Sequence, residues 1–207
     1  MGRESFLDFD WEKGSLYRRL LTKGEFKNQL RRVVVIANGV IRDVDFYRRQ
    51  IAGDDYIICA DGGFLHALTM DIRPHLVVGD GDSLNASLRR QMGRLNIELF
   101  QYPEVNQEKS DLELALNYAL TLEPEEIVIY GALGGERADH AFINILLLAI
   151  PFKKGVRAKI IDERQEIQLM GRELIVKGRA GDYLSLFALT PVATGVVTKG
   201  LKYPLFK

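Results

Sequence analysis

Short apolar runs rich in β-branched residues recur at 33–36, 56–59, 76–78, 97–100 and 127–130. Runs of this kind, apolar on both faces, suit strands of a parallel sheet covered by helices on both sides. The segments between them at 64–70, 86–95, 111–122 and 138–150 carry helical patterning, and the alternation of the two element types predicts an α/β fold with an N-terminal parallel sheet. After about residue 151 the helical period ends. Short alternating segments separated by glycine follow at 158–161, 166–170, 173–176, 183–189 and 194–200. They predict a small antiparallel β domain, sandwich-like and incomplete as it stands, with the boundary near 151–156. Ahead of the first strand, Leu16, Leu20, Leu21 and Leu30 form a weak helical face in a charged stretch broken by Gly14 and Gly24, which predicts a helical extension. The organisation expected is an extension over 1–32, an α/β domain over 33–152 and a β-rich domain over 153–207.

Composition narrows the picture. With 47% hydrophobic and 27% charged residues the chain can bury an ordinary core. Its 28 basic residues balance 28 acidic ones, so no global positive field exists to hold nucleic acid or an anionic membrane. The pairs Arg18-Arg19, Arg31-Arg32 and Arg48-Arg49 read as solvated surface. A single cysteine, Cys59, lies in an apolar run. It excludes an intramolecular disulfide, reads as a small core hydrophobe and fits a reducing cytoplasm. The first residues alternate charged with apolar side chains, unlike a signal peptide, and no segment has the apolar length of a bilayer span. The expectation is a soluble cytoplasmic protein.

Acidic residues stand beside glycines where strands should end. Asp61-Gly62-Gly63 follows one apolar run, and Gly79-Asp80-Gly81-Asp82-Ser83 follows the next. In open α/β sheets the crevice beyond the carboxyl ends of the strands is where ligands bind. Asp80 and Asp82 project to one side of an extended segment, and two hard oxygen donors on one spot suit Mg²⁺, which completes its shell with water and substrate phosphates. The same five residues also read as a Gly-Asp turn leading into a helix capped by Ser83 or Asn85. A third acidic group, Gln107-Glu108-Lys109-Ser110-Asp111, precedes a helix. Ser110 and Glu113 make a capping box, while the free amides of a helix start also attract a polyphosphate. A fourth cluster, Gly131-Ala132-Leu133-Gly134-Gly135-Glu136-Arg137-Ala138-Asp139-His140, lies between a strand and an apolar helix. Its glycines could cradle phosphate and Arg137 could neutralise it, or Asp139 could simply cap the helix. His66 and His75 read as packing or surface residues. No P-loop and no dinucleotide glycine fingerprint is present. From residues alone, the reading reaches a Mg²⁺-dependent enzyme acting on a phosphate-bearing substrate.

Taken in order, Cys59-Ala60-Asp61-Gly62-Gly63, Val78-Gly79-Asp80-Gly81-Asp82-Ser83-Leu84, Gln107-Glu108-Lys109-Ser110-Asp111, Gly134-Gly135-Glu136-Arg137-Ala138-Asp139-His140 and Gly200-Leu201-Lys202-Tyr203-Pro204-Leu205 resemble the thiamine pyrophosphokinase family. The resemblance implies a nucleotide-binding α/β domain, a β-rich thiamine-binding domain, and a homodimer with thiamine bound between subunits. It implies transfer of pyrophosphate from ATP to the thiamine hydroxyl, with AMP released. Asp80, Asp82 and Asp111 would organise Mg²⁺ and the ATP phosphates, with Asp61 in the same cleft as a fourth catalytic carboxylate. Gly134, Gly135, Arg137 and Asp139 would lie on the nucleotide side. Gln107 and Ser110 would help form the pocket where the substrates meet, and Tyr203 would pack on thiamine from the partner subunit, an aromatic face for a cationic ring. The sequence departs from the family at Gly81, where many members carry Phe, at Glu108, where Asp is usual, and at Glu136, which lengthens the Gly-Gly-Arg spacing. Family members also continue into further strands bearing a Ser/Asn-containing thiamine-binding segment. Alternatives are a pyrophosphokinase for another alcohol, such as a pterin, and a non-enzymatic nucleotide or thiamine diphosphate sensor.

Overall fold

The computed structural model describes residues 31–101 and 109–206. Seven strands form one sheet: β1 (Arg32–Ile36), β2 (Tyr56–Ala60), β3 (Leu76–Val78), β4 (Glu98–Phe100), β5 (Glu126–Tyr130), β6 (Arg157–Ile161) and β7 (Glu166–Gln168). Their order is β4-β3-β2-β1-β5-β6-β7. Neighbours run parallel except β7, which pairs antiparallel with β6. Helices α1 (Val44–Gln50), α2 (Gly63–Thr69), α3 (Ala86–Leu95), α4 (Asp111–Thr121), α5 (Ala138–Leu146) and α6 (Ala149–Lys153) cover it. The α/β class is therefore as the patterning implies.

Alternation along each strand sorts the core into two layers. Val33 and Val35 of β1 pack with Ile127, Ile129 and the apolar side of α4. Val34 and Ile36 pack on the other face with Tyr47 of α1, Phe64 and Ala67 of α2, and Leu88 and Met92 of α3. The central strands are apolar on both faces because both are buried. At the end opposite the site, Arg32 donates to both carboxylate oxygens of buried Asp55 at 2.7 and 2.6 Å and to the Gln50 carbonyl at 2.7 Å. That closes the one charge buried there in hydrogen bonds.

Several features differ from the patterning. α1 has no counterpart among the expected helices; seven residues are too short for a strong period, and it is started by Asp43, whose side chain accepts from the Phe46 amide. The helix expected over 138–150 is two helices, α5 and α6. Pro151 cannot donate to a carbonyl one turn back, so the helix restarts and places it in a first turn, where no donor is needed. The third difference concerns the boundary near 151–156. Segments 157–161 and 166–168 are β6 and β7 of the main sheet, and the chain divides between Leu169 and Met170. Alternation marks a strand without naming its sheet.

In the second unit, among the described residues, the pairing is a single antiparallel bridge between Val197 and Phe206, supported by the Thr198 amide donating to the Leu205 carbonyl at 3.1 Å. The segments 173–176, 183–189 and 194–200 carry no strand among the described residues. A strand is defined by its partner's hydrogen bonds, which alternation cannot supply. The expected extension falls almost wholly on residues 1–30, outside the described residues. Among the described residues no helix is long and apolar enough to cross a membrane.

Candidate functional site

β1 leads through β2 and β3 to β4 on one side, and the chain then returns to place β5 on the other flank of β1. The reversal makes β1 and β5 the switch point, with a crevice beyond their carboxyl ends. The loops after these strands are laced together: the Gly39 amide donates to the Gly131 carbonyl at 2.6 Å, and Val40 to Leu133 at 3.1 Å. Gly131 and Gly134 turn here with φ of 63° and 76°. A Cβ on Gly39 would run into the Gly131 carbonyl.

Next to this crevice the ends of β2 and β3 deliver the carboxylates. Asp61 follows β2 directly and its amide donates to the Val78 carbonyl at 2.7 Å, which seals the two strand ends together. It is 3% exposed, holds a left-handed φ of 39°, and its Oδ1 has no hydrogen-bond partner. A buried orphaned oxygen on a strained residue is expensive unless something binds it. Asp80 and Asp82 sit in the loop after β3, where the Asp82 amide donates to Asp80 Oδ1 at 2.9 Å. One oxygen from each of Asp61, Asp80 and Asp82 falls within a 4.8 Å cluster.

Asp111 opens α4 and joins them. Burial first, then the negative charges of Asp61, Asp80 and Asp82, push its carboxyl up to about 6. Gly79 lets the parts close, since a Cβ there would lie 2.9 Å from Asp61 Cβ and 3.0 Å from Asp111 Oδ1. Among the described residues none of the four carboxylates is held in an ion pair. Such a set of hard oxygens, mutually repelling and without an ion-pair partner among the described residues, fits a divalent metal ion.

The other expected residues divide. Ser110 is the N-cap of α4 and accepts from the Glu113 amide at 3.3 Å, so the capping reading of this position holds. Gln107 lies outside the described residues. Gly134 and Gly135, both with positive φ, lie in the loop after β5. Arg137 and Asp139 form an exposed pair with each other at 2.5 Å; its hydrogen bonds hold the Asp139 carboxyl down to about 2. The N-cap of α5 is Arg137, without a side-chain cap bond, so Asp139 is not the cap. Tyr203 belongs to the second unit, where its ring is exposed and the Lys202 ammonium stands 5.4 Å from its centroid. His66 reaches the Gly39 carbonyl at 2.8 Å and His75 accepts from the Ile57 amide at 3.0 Å, both structural roles. Cys59 is fully buried. Arg89, which grips the 79–83 loop, went unnoticed in the sequence because nothing in its helical context distinguishes it from Arg90.

Fold and site together define an open-sheet α/β protein with an acidic cluster beside the crevice at its switch point. The family model described as "Thiamin pyrophosphokinase, catalytic domain" matches residues 47–160. A curated relative, thiamine pyrophosphokinase of Bacillus subtilis (strain 168), is 33% identical over 150 residues, covering 72% of this chain and 69% of the relative. The crystal structure of thiamine pyrophosphokinase from Bacillus subtilis superposes with a TM-score of 0.58 at 31% identity, over 67% of this chain and 63% of that one. A family protein from Enterococcus faecalis gives 0.51 at 31% identity, over 67% and 64%. The chain belongs to the thiamine pyrophosphokinase family. It spans just under two thirds of the length of these solved relatives.

Proposed function

We propose that this chain is a thiamine pyrophosphokinase that transfers the pyrophosphoryl group of ATP to the thiamine hydroxyl with Mg²⁺, giving thiamine diphosphate and AMP. The observation that carries the reading is the convergence of Asp61, Asp80, Asp82 and Asp111 at one end of the sheet, with an orphaned oxygen on Asp61. Asp80, Asp82 and Asp111 would hold Mg²⁺, with Asp61, whose oxygen clusters with those of Asp80 and Asp82, in the same cleft. Bound there, the cation would offset charge on the phosphate oxygens as transfer proceeds. The thiamine oxygen forms a bond to the β-phosphorus, the bond from that phosphorus to the α–β bridging oxygen breaks, AMP leaves with the electron pair, and the hydroxyl proton is released.

The chain's own contribution is positioning. Backbone amides around Gly134 and Gly135, in the loop after β5, would serve the nucleotide side, together with Arg137 and Asp139. The family reading would assign Ser110 and Gln107 to the pocket where the substrates meet, and Tyr203 of the partner subunit to the cationic thiazolium. The family reading carries with it a homodimeric, cytoplasmic enzyme. α5 supports the dimer: it is apolar yet has no buried residue, and Phe142, Ile143 and Leu146 are exposed.

Incubation with ATP, Mg²⁺ and thiamine, following AMP, ADP and thiamine diphosphate together, tests the reaction. Equal amounts of AMP and thiamine diphosphate are expected, falling by about 10²-fold or more in Asp82→Asn because several kcal/mol of charge stabilisation is lost. ADP in place of AMP would make the protein an ordinary kinase, and nucleotide binding without turnover would make it a sensor.

A further inference from the structure

We infer that Arg89 is a positioning residue for the cation site, holding the 79–83 loop by its backbone so that Asp80 and Asp82 stand pre-arranged toward Asp61. The inference rests on the cation reading given above. Two carboxylates two residues apart repel each other and the buried Asp61, and Gly81 between them takes a φ of 76°. Left to itself, such a loop would spread.

Three tethers oppose this. Arg89, on the first turns of α3, donates from Nη2 to the Gly81 carbonyl at 2.6 Å and from Nε to the Leu84 carbonyl at 3.0 Å. From β4's end, Gln101 Nε2 donates to the Asp80 carbonyl at 3.0 Å. The Gly79 amide donates to the Phe100 carbonyl at 3.2 Å. A Cβ on Gly81 would lie 3.0 Å from Arg89 Nη2 and 3.1 Å from Leu99 Cδ2, so the guanidinium packs closely on the turn.

The choice of acceptor is the informative part. A cation beside an acidic loop would ordinarily pair with a carboxylate and compete with the metal. Arg89 directs Nε and Nη2 to carbonyl oxygens, which leaves the Asp80 and Asp82 carboxylates for the metal. The rigid fork of a guanidinium can span two carbonyls; an ammonium cannot reproduce that geometry. Groups that orient metal ligands in this way commonly change metal affinity 10- to 100-fold when removed.

The test is direct Mn²⁺ binding to chelator-stripped protein, by calorimetry and by electron paramagnetic resonance, in wild type, Arg89→Met, Arg89→Lys and Gln101→Leu. Arg90→Met on the same helix and Asp82→Asn serve as controls. Arg89→Met and Arg89→Lys are expected to bind Mn²⁺ about tenfold or more weakly, Gln101→Leu to fall in between, and Arg90→Met to match wild type. In turnover the apparent Mg²⁺ requirement should rise while kcat at saturating Mg²⁺ stays near wild type. Folded Arg89 variants that bind Mn²⁺ within about twofold of wild type would overturn the inference and leave the cation site standing. Wild type that binds no Mn²⁺ and does not differ from Asp82→Asn would overturn the cation reading and this inference with it. If Arg89→Met does not fold, Arg89→Lys and Gln101→Leu carry the same comparison.

Discussion

Asp61 combines burial, a left-handed backbone and an oxygen without a partner, a combination that packing alone does not reward and that marks residues kept for a ligand. Asp111 shows the same tension in its ionisation. Burial and three neighbouring carboxylates raise its folded value from 3.8 to about 6, so between these values the metal-free folded state holds more protons than the unfolded chain. Its contribution to stability is therefore fully present below the unfolded value and is lost as pH rises through about 6. Urea midpoints of chelator-stripped protein should accordingly fall from this group as pH is raised from 4 to 7, and Asp111→Asn should remove that part of the slope. At pH 7.5 the same variant should be more stable than wild type without metal, by roughly 0.5–2 kcal/mol. A divalent cation should reverse the order, because only wild type keeps the full ligand set. The acidic residues themselves were legible in the sequence from their place beside glycines at strand ends. Their mutual distances, and so the shift of Asp111, were not, because they come from three separate segments.

At the scale of elements, local rules predict well where a helix begins with a good cap. Ser110 caps α4 through the Glu113 amide, and Asn85 caps α3 through the amides of Ser87 and Leu88. Ser110→Ala should lower stability by about 1 kcal/mol and Ser110→Asp should restore most of it, as read by the urea midpoint. If the hydroxyl also touches substrate, Ser110→Asp will recover the midpoint without recovering KM. Local rules fail where an element is short or interrupted. α1 depends on Asp43 and on Glu163, which accepts from the amides of Arg42 and Asp43 at 2.8 and 3.0 Å. Glu163 arrives from the turn between β6 and β7, a partner that no window around residue 44 contains. Pro151 was visible throughout, yet only the backbone bookkeeping of one turn shows that it restarts the helix instead of ending it.

For the whole molecule, the apolar surface of α5 is one that the first unit leaves exposed among the described residues. Phe142 and Ile143 are 62% and 47% exposed, on a helix whose composition suits burial. Sedimentation should give a dimer for wild type and a monomer for Ile143→Asp, with the circular dichroism of the folded chain retained; a monomeric wild type would remove the dimer from the proposal. The sequence by itself determined the alternation of strand and helix, the burial of both faces of the central strands, and the acidic and glycine-rich segments at strand ends. These follow from side-chain period and local backbone preference, which act over a few residues. Only the tertiary structure decided the strand order with its switch point at β1 and β5, the recruitment of β6 and β7 into the main sheet, and the meeting of four carboxylates with Arg89 behind their loop. Those depend on which strand edges pair and which helix covers which face, contacts between residues far apart in the chain whose energies no local pattern encodes.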